Sequence, residues 1–141
     1  FCIYVIGKVY EAHNKPRPVP KIAHCGRFLK EVRRDRIAYT VYTVKQIEQK
    51  IYPVSPGDIL IWSHKKSLTQ DKNYLWSGHA ELGVEKKYGV VQYTVGANTI
   101  GTDAMSREQS GSSGPLGGVW LKRRVLGSSS SFNTEGIVHI N

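Results

Sequence analysis

The segment Pro56-Gly57-Asp58 followed by Ile59-Leu60-Ile61-Trp62 constrains this chain more than any other. A Pro-Gly turn closed by Asp interrupts whatever precedes it. The aliphatic and aromatic run after the turn reads as a buried strand. A second unit of the same kind lies downstream, where Trp76-Ser77-Gly78 turns into His79-Ala80-Glu81-Leu82-Gly83-Val84. The intervening stretch 64–74 is polar and charged and reads as a loop. His79 therefore opens a strand directly after a glycine that leaves room beside its ring. It also carries the side chain whose ordinary pKa lies nearest neutrality. A half-buried surface histidine is the plain alternative, so its meaning depends on the other residues around it.

Composition sets the outer bounds. A chain of 141 residues with 40% hydrophobic content predicts one domain, 1–141, with a core of its own. No apolar run approaches the ~20 residues of a membrane helix, so no membrane span is expected. Residues 1–13 lack the basic start and small-residue end of a secretory signal. A chain that begins with Phe rather than Met is nevertheless expected to be the trimmed form of a longer one. The net charge of +9 favours anionic partners: nucleic acid, anionic lipid or cell-wall polymer. Nucleic-acid readers interleave exposed aromatics with basic residues in recognisable motifs, and none is present, so no nucleic-acid partner is expected. Cys2 and Cys25 allow one disulfide at most. Neither CxxC nor zinc-finger spacing occurs, and no metal or cofactor is expected.

Along the chain, residues 1–13 read as a helix. Ile3, Ile6, Val9 and Tyr10 recur at helical spacing, with Lys8 and Glu11 on the other side. Gly7 weakens this helix and allows close packing; Asn14, Pro16, Pro18 and Pro20 end it. The apolar face predicts burial against a sheet, with Cys2 at the helix N-terminus. There, unpaired amides and the positive end of the helix dipole favour a thiolate and can stabilise an oxyanion. The alternative is a small buried apolar residue. Residues 22–34 predict a second helix with a stripe of Phe28, Leu29 and Val32 and a basic remainder. Cys25 and His24 are adjacent at its start and do not face each other on a helix, so Cys25 reads as structural. Residues 37–44 alternate like a strand, whereas Thr43 offers a cap for a short helix over 44–50. Strands are expected at 58–62, 79–85, 90–95, 118–126 and 136–140, and a long Gly/Ser-rich loop over 100–117. Helices first and strands after predict an α+β fold with an antiparallel sheet of about five strands.

The strand 90–95 runs into Val95-Gly96-Ala97-Asn98-Thr99 and pairs as a hairpin with the strand that His79 opens. The start of one and the end of the other are neighbours, so Asn98 is expected beside His79. Cysteine, histidine and asparagine in this order form a thiol-hydrolase triad of nucleophile, base and orienting group.

These motifs and their order resemble the CHAP family of cysteine amidases and peptidases, within the papain-like NlpC/P60 group. The resemblance lies in Phe1-Cys2 at the head of an apolar helix, Pro56-Gly57-Asp58-Ile59, Ser77-Gly78-His79 and Thr94-Val95-Gly96-Ala97-Asn98-Thr99. The tail, Gly117-Gly118-Val119-Trp120-Leu121-Lys122-Arg123-Arg124 and Glu135-Gly136-Ile137-Val138, is similar to the last strands of phage-endolysin-like members. The family commonly carries an acidic residue two positions before the asparagine. That position here is Gly96, so the third role falls to Asn98 alone. The resemblance implies a papain-like NlpC/P60/CHAP fold, catalytic Cys2, His79 and Asn98, and cleavage of amide bonds in bacterial peptidoglycan by a monomer. The site of action would be the cell wall, the periplasm or the cell exterior. The alternative is a non-catalytic phage-structural or wall-binding protein on the same fold. A catalytic Cys2 would alkylate rapidly near neutral pH; a buried one would not.

Overall fold

The computed structural model describes residues 1–64, 76, 78–100, 117–129 and 132–141, with the backbone alone at 98–100 and 117–118. The loops expected over 64–74 and 100–117 lie outside the described residues except at their ends. The chain runs α1 (Cys2–Ala12), α2 (Cys25–Arg34), β1 (Tyr39–Tyr42), α3 (Val44–Glu48), β2 (Ile59–His64), β3 (Gly78–Gly83), β4 (Val91–Ile100), β5 (Gly117–Val125) and β6 (Phe132–Ile140).

All six strands form one antiparallel sheet in the order β1-β6-β2-β3-β4-β5. The fold is α+β as expected, with six strands where about five were predicted. The extra strand is β1, which pairs with β6 from Tyr39↔Ile140 to Tyr42↔Ile137. The two readings of 37–50 both hold, in succession. The alternating part is β1, and Thr43 then caps α3 with a reciprocal pair of hydrogen bonds to Gln46.

Strand β2 is central and covered on both faces, which is why its sequence is continuously apolar. Ile59 and Ile61 join Leu82 and Val138 beneath the helices, packed with Cys2 and Ile6 of α1 and Phe28, Leu29 and Val32 of α2. Leu60 and Trp62 point the other way, to Tyr42, Ile47, Val54, Leu126 and Ile137. The turn before β2 is built by its own residues. Gly57 takes φ +90°, where a side chain is strained. The amide of Ser55 donates to Asp58 Oδ2 at 2.8 Å. The amide of Gly57 and the carbonyl of Asp58 bond to the backbone of Gly83, tying the turn to the end of β3.

No helix among the described residues is long and apolar enough to cross a membrane.

Candidate active site

Cys2 begins α1 as expected, and its side chain is buried in the cluster between helix and sheet. Burial pushes its thiol up to about 12; Glu81 and Cys25 push the same way, and the lowering contributions offset only part of this. Desolvation therefore outweighs the helix N-terminus, and the resting thiol is neutral at pH 7. Cys25 is also a free thiol, partly buried, raised by desolvation. His24 serves not Cys25 but the helix: it is the N-cap of α2, and its Nδ1 accepts from the amide of Arg27 at 3.3 Å.

His79 lies on β3 opposite Trp62 of β2. Alternation along β3 puts Ala80 and Leu82 in the cluster that holds Cys2, and His79 and Glu81 on the reverse face with Leu60 and Trp62. Cys2 and His79 nevertheless line one cleft of about 1070 Å³, together with Ala80, Ala97 and Arg124. The cleft lies where β3 and β4 part. The two strands pair at Leu82↔Val95 and Gly83↔Thr94, and the cleft takes in Gly78, His79 and Ala80 from one and Ala97 from the other. Among the described residues no hydrogen bond joins Cys2 to His79. Asn98 is in β4, three residues beyond Val95, the last β4 residue paired with β3. Its side chain lies outside the described residues.

The group that holds His79 is Glu81, two residues along the same strand and so on the same face. Its Oε1 lies 3.1 Å from His79 Nε2. Glu81 is fully buried and multiply bonded: Thr94 Oγ1 and Arg124 Nε donate to Oε2, the latter at 2.9 Å, and Arg124 Nη2 donates to Oε1. Arg124 in turn lies 5.7 Å from the ring centroid of Trp62. Burial alone would raise the Glu81 carboxyl, but the hydrogen bonds from Arg124, His79 and Thr94 outweigh it and hold the group at about 2. An ionised carboxylate only accepts, so the N–H on Nε2 of His79 donates to Glu81 and leaves Nδ1 as the other ring nitrogen.

Gly96 explains how this acid fits. A Cβ at Gly96 would lie 2.5 Å from Glu81 Cγ. No side chain fills that position, and Glu81 of the neighbouring strand occupies the space. Sequence reading assigned the orienting role to Asn98 alone and passed over Glu81. The signal was present in the His79-Ala80-Glu81 spacing, which at a strand period of two places both side chains on one face.

A second histidine–carboxylate pair lies at the other end of the same sheet face. His139 Nδ1 is 2.7 Å from Asp58 Oδ1, and its ring stacks on Tyr42, which stacks on Tyr52. Among the described residues no set of three His, Cys, Asp or Glu side chains is arranged to hold a metal ion. Comparison of the chain with family models, curated proteins and solved structures finds no match.

Proposed function

We propose that the protein is a cysteine hydrolase of bacterial peptidoglycan on a papain-like, CHAP-type fold, cleaving either the muramoyl–L-alanine amide or a peptide bond of the stem or cross-bridge. One observation carries the reading: a cysteine at the N-terminus of a buried helix and a histidine oriented by a buried carboxylate open into the same cleft. In this scheme His79 Nδ1 takes the thiol proton as Cys2 attacks the amide carbon, and the imidazolium then protonates the leaving amine. Water hydrolyses the resulting thioester by the reverse proton path. Glu81 stabilises the imidazolium through Nε2, and Asn98, from the facing strand, orients the ring. The amide of Cys2 supplies one oxyanion donor. Attack requires the sulfur and the ring to close on each other when substrate fills the cleft, because the resting thiol is neutral and faces the apolar cluster.

The net charge of +9 draws such a protein to an anionic wall without a dedicated binding module. The test is lysis of purified walls. Cys2→Ala and His79→Ala are expected to abolish it and Asn98→Ala to leave a reduced rate. Lysis that survives Cys2→Ala but not Cys25→Ala would move the nucleophile to the other thiol.

The second reading is a non-catalytic wall-binding protein on the same fold. The burial and high pKa of Cys2 favour it. Iodoacetamide separates the two when applied at neutral pH with and without wall fragments. The hydrolase reading expects the fragments to change the alkylation rate of Cys2; the binding reading expects slow alkylation in both conditions.

A further inference from the structure

We infer that Arg17, seated against Gly7 of α1, binds a free carboxylate of a peptide in the cleft, so that the site prefers acidic stem peptides to amidated ones. The identity of the peptide as a wall stem rests on the hydrolase reading; the carboxylate preference does not. The described lining of the cleft contains Arg17, Lys21, Lys122, Arg123 and Arg124 and no Asp or Glu. Arg124 is committed to Glu81. Arg17 is placed differently. A Cβ on Gly7 would lie 2.5 Å from both Cζ and Nη2 of Arg17, so the guanidinium packs against the helix at the one residue without a side chain. Glycine is a poor helix former, and its presence in the middle of α1 is accounted for by this seat.

The arginine is held loosely where it sits. Its Nη1 reaches the carbonyl of Ile3 at 3.4 Å and its Nη2 reaches Glu11 Oε1 at 3.5 Å, both long contacts. A guanidinium has five N–H donors in a planar fork, which suits bidentate binding of a carboxylate. The side chain is 22% exposed, open enough to take a ligand and dry enough to strengthen the contact. Ile3 follows Cys2 directly, so a carboxylate held there lies beside the thiol end of α1. Lys21, on the segment that leaves Arg17, adds a second positive charge to the same rim. Tyr4, Phe28 and Trp62 give the cleft aromatic walls, which suit a peptide better than a phosphodiester polymer.

The experiment uses the full chain carrying Cys2→Ala, so that binding is read without cleavage. Calorimetric titration compares a synthetic stem peptide bearing a free carboxylate with the same peptide amidated. The expected result is binding of the acidic form at least ~10-fold tighter, with the ratio falling to near one in Arg17→Gln and held in part by Arg17→Lys. Gly7→Ala is the second variant: it keeps the arginine and removes its seat, and it should also lower the ratio. Equal binding of the two peptides, no binding of either, a preference untouched by Arg17→Gln and Gly7→Ala, or equal displacement by a glycerol-phosphate polymer would each overturn the inference. Failure of the wild-type protein to cut either peptide, with the acid preference intact, would count against the hydrolase reading and leave the carboxylate site standing.

Discussion

His79–Glu81 and His139–Asp58 are the same chemical pair on the same face of one sheet, and their surroundings set them apart. Glu81 accepts hydrogen bonds from an arginine, a threonine and the histidine, and stays ionised down to about pH 2. Asp58 is raised: burial dominates, and the Ser55 amide and His139 offset only part of it. The ring of His79 faces a cleft that a thiol also lines, whereas that of His139 stacks on Tyr42 beside the turn at Gly57. The first pair thus keeps its carboxylate charged and borders the cleft. The second closes a turn. A histidine beside a carboxylate is the stronger site candidate where the carboxylate is held charged and the ring borders a cleft.

The largest expected effect on stability comes from Glu81→Ala, which strips Arg124 and His79 of their common partner. Removing one member of a buried pair costs on the order of 3 kcal/mol. Urea unfolding of this variant should show that loss, and a cost below about 1 kcal/mol would mean that the cluster is not coupled. Acid sharpens the contrast. The Glu81 carboxyl lies at about 2 against an ordinary 4.5, so its contribution, roughly 3 kcal/mol, is present above pH 4.5 and lost as pH falls towards 2. Asp58 has the opposite sign, since a raised carboxyl favours the folded state more as it protonates. Wild-type protein should therefore lose stability between about pH 4.5 and 2, and Glu81→Gln should flatten that loss while Asp58→Asn leaves it in place.

Asp58→Asn keeps an oxygen acceptor for the Ser55 amide and turns an N–H toward His139 Nδ1, which a neutral ring accepts in its other tautomer, so its cost should be smaller, about 1 kcal/mol in thermal or urea unfolding. If it exceeds the cost of Glu81→Ala, the ranking of the two clusters is reversed. The smallest effect expected is in wall binding across a salt series. Charges on the surface are screened beyond ~8 Å at physiological ionic strength, so retention on purified walls should fall steadily with salt. Retention flat in salt would place the affinity in a specific pocket rather than in the net charge of +9.

Much of the frame was legible in the residues. The run 59–62 and the Pro56-Gly57-Asp58 turn gave β2 and its tie to β3, because a strand buried on both faces leaves no polar alternation to mistake. The spacing of Ile3, Ile6 and Tyr10 found α1 and left Cys2 at its head, and Gly7 marked a close approach that proved to be Arg17. β1 was half seen, because four residues alternating before a capped turn fit a strand and a helix start equally well. Of the candidate residues, Cys2 and His79 line one cleft, and their arrangement was not legible in the sequence. Cys2 and His79 reach one cleft from opposite faces of the sheet, and a linear reading of strand starts does not carry the parity that decides the face. Glu81 was hidden for a similar reason. Its importance comes from Arg124, 43 residues away, and from the missing side chain at Gly96 on the next strand.

The central claim is that Cys2 and His79 act together on an amide of the wall. Mass spectrometry of purified peptidoglycan after digestion tests it most directly, because a newly freed amine and carboxyl end name the bond that was cut. The account predicts one such pair of new ends with wild-type protein and with His139→Ala, and none with Cys2→Ala or His79→Ala. The same new ends from Cys2→Ala, or their absence from wild-type digests of walls that retain the protein, would contradict it.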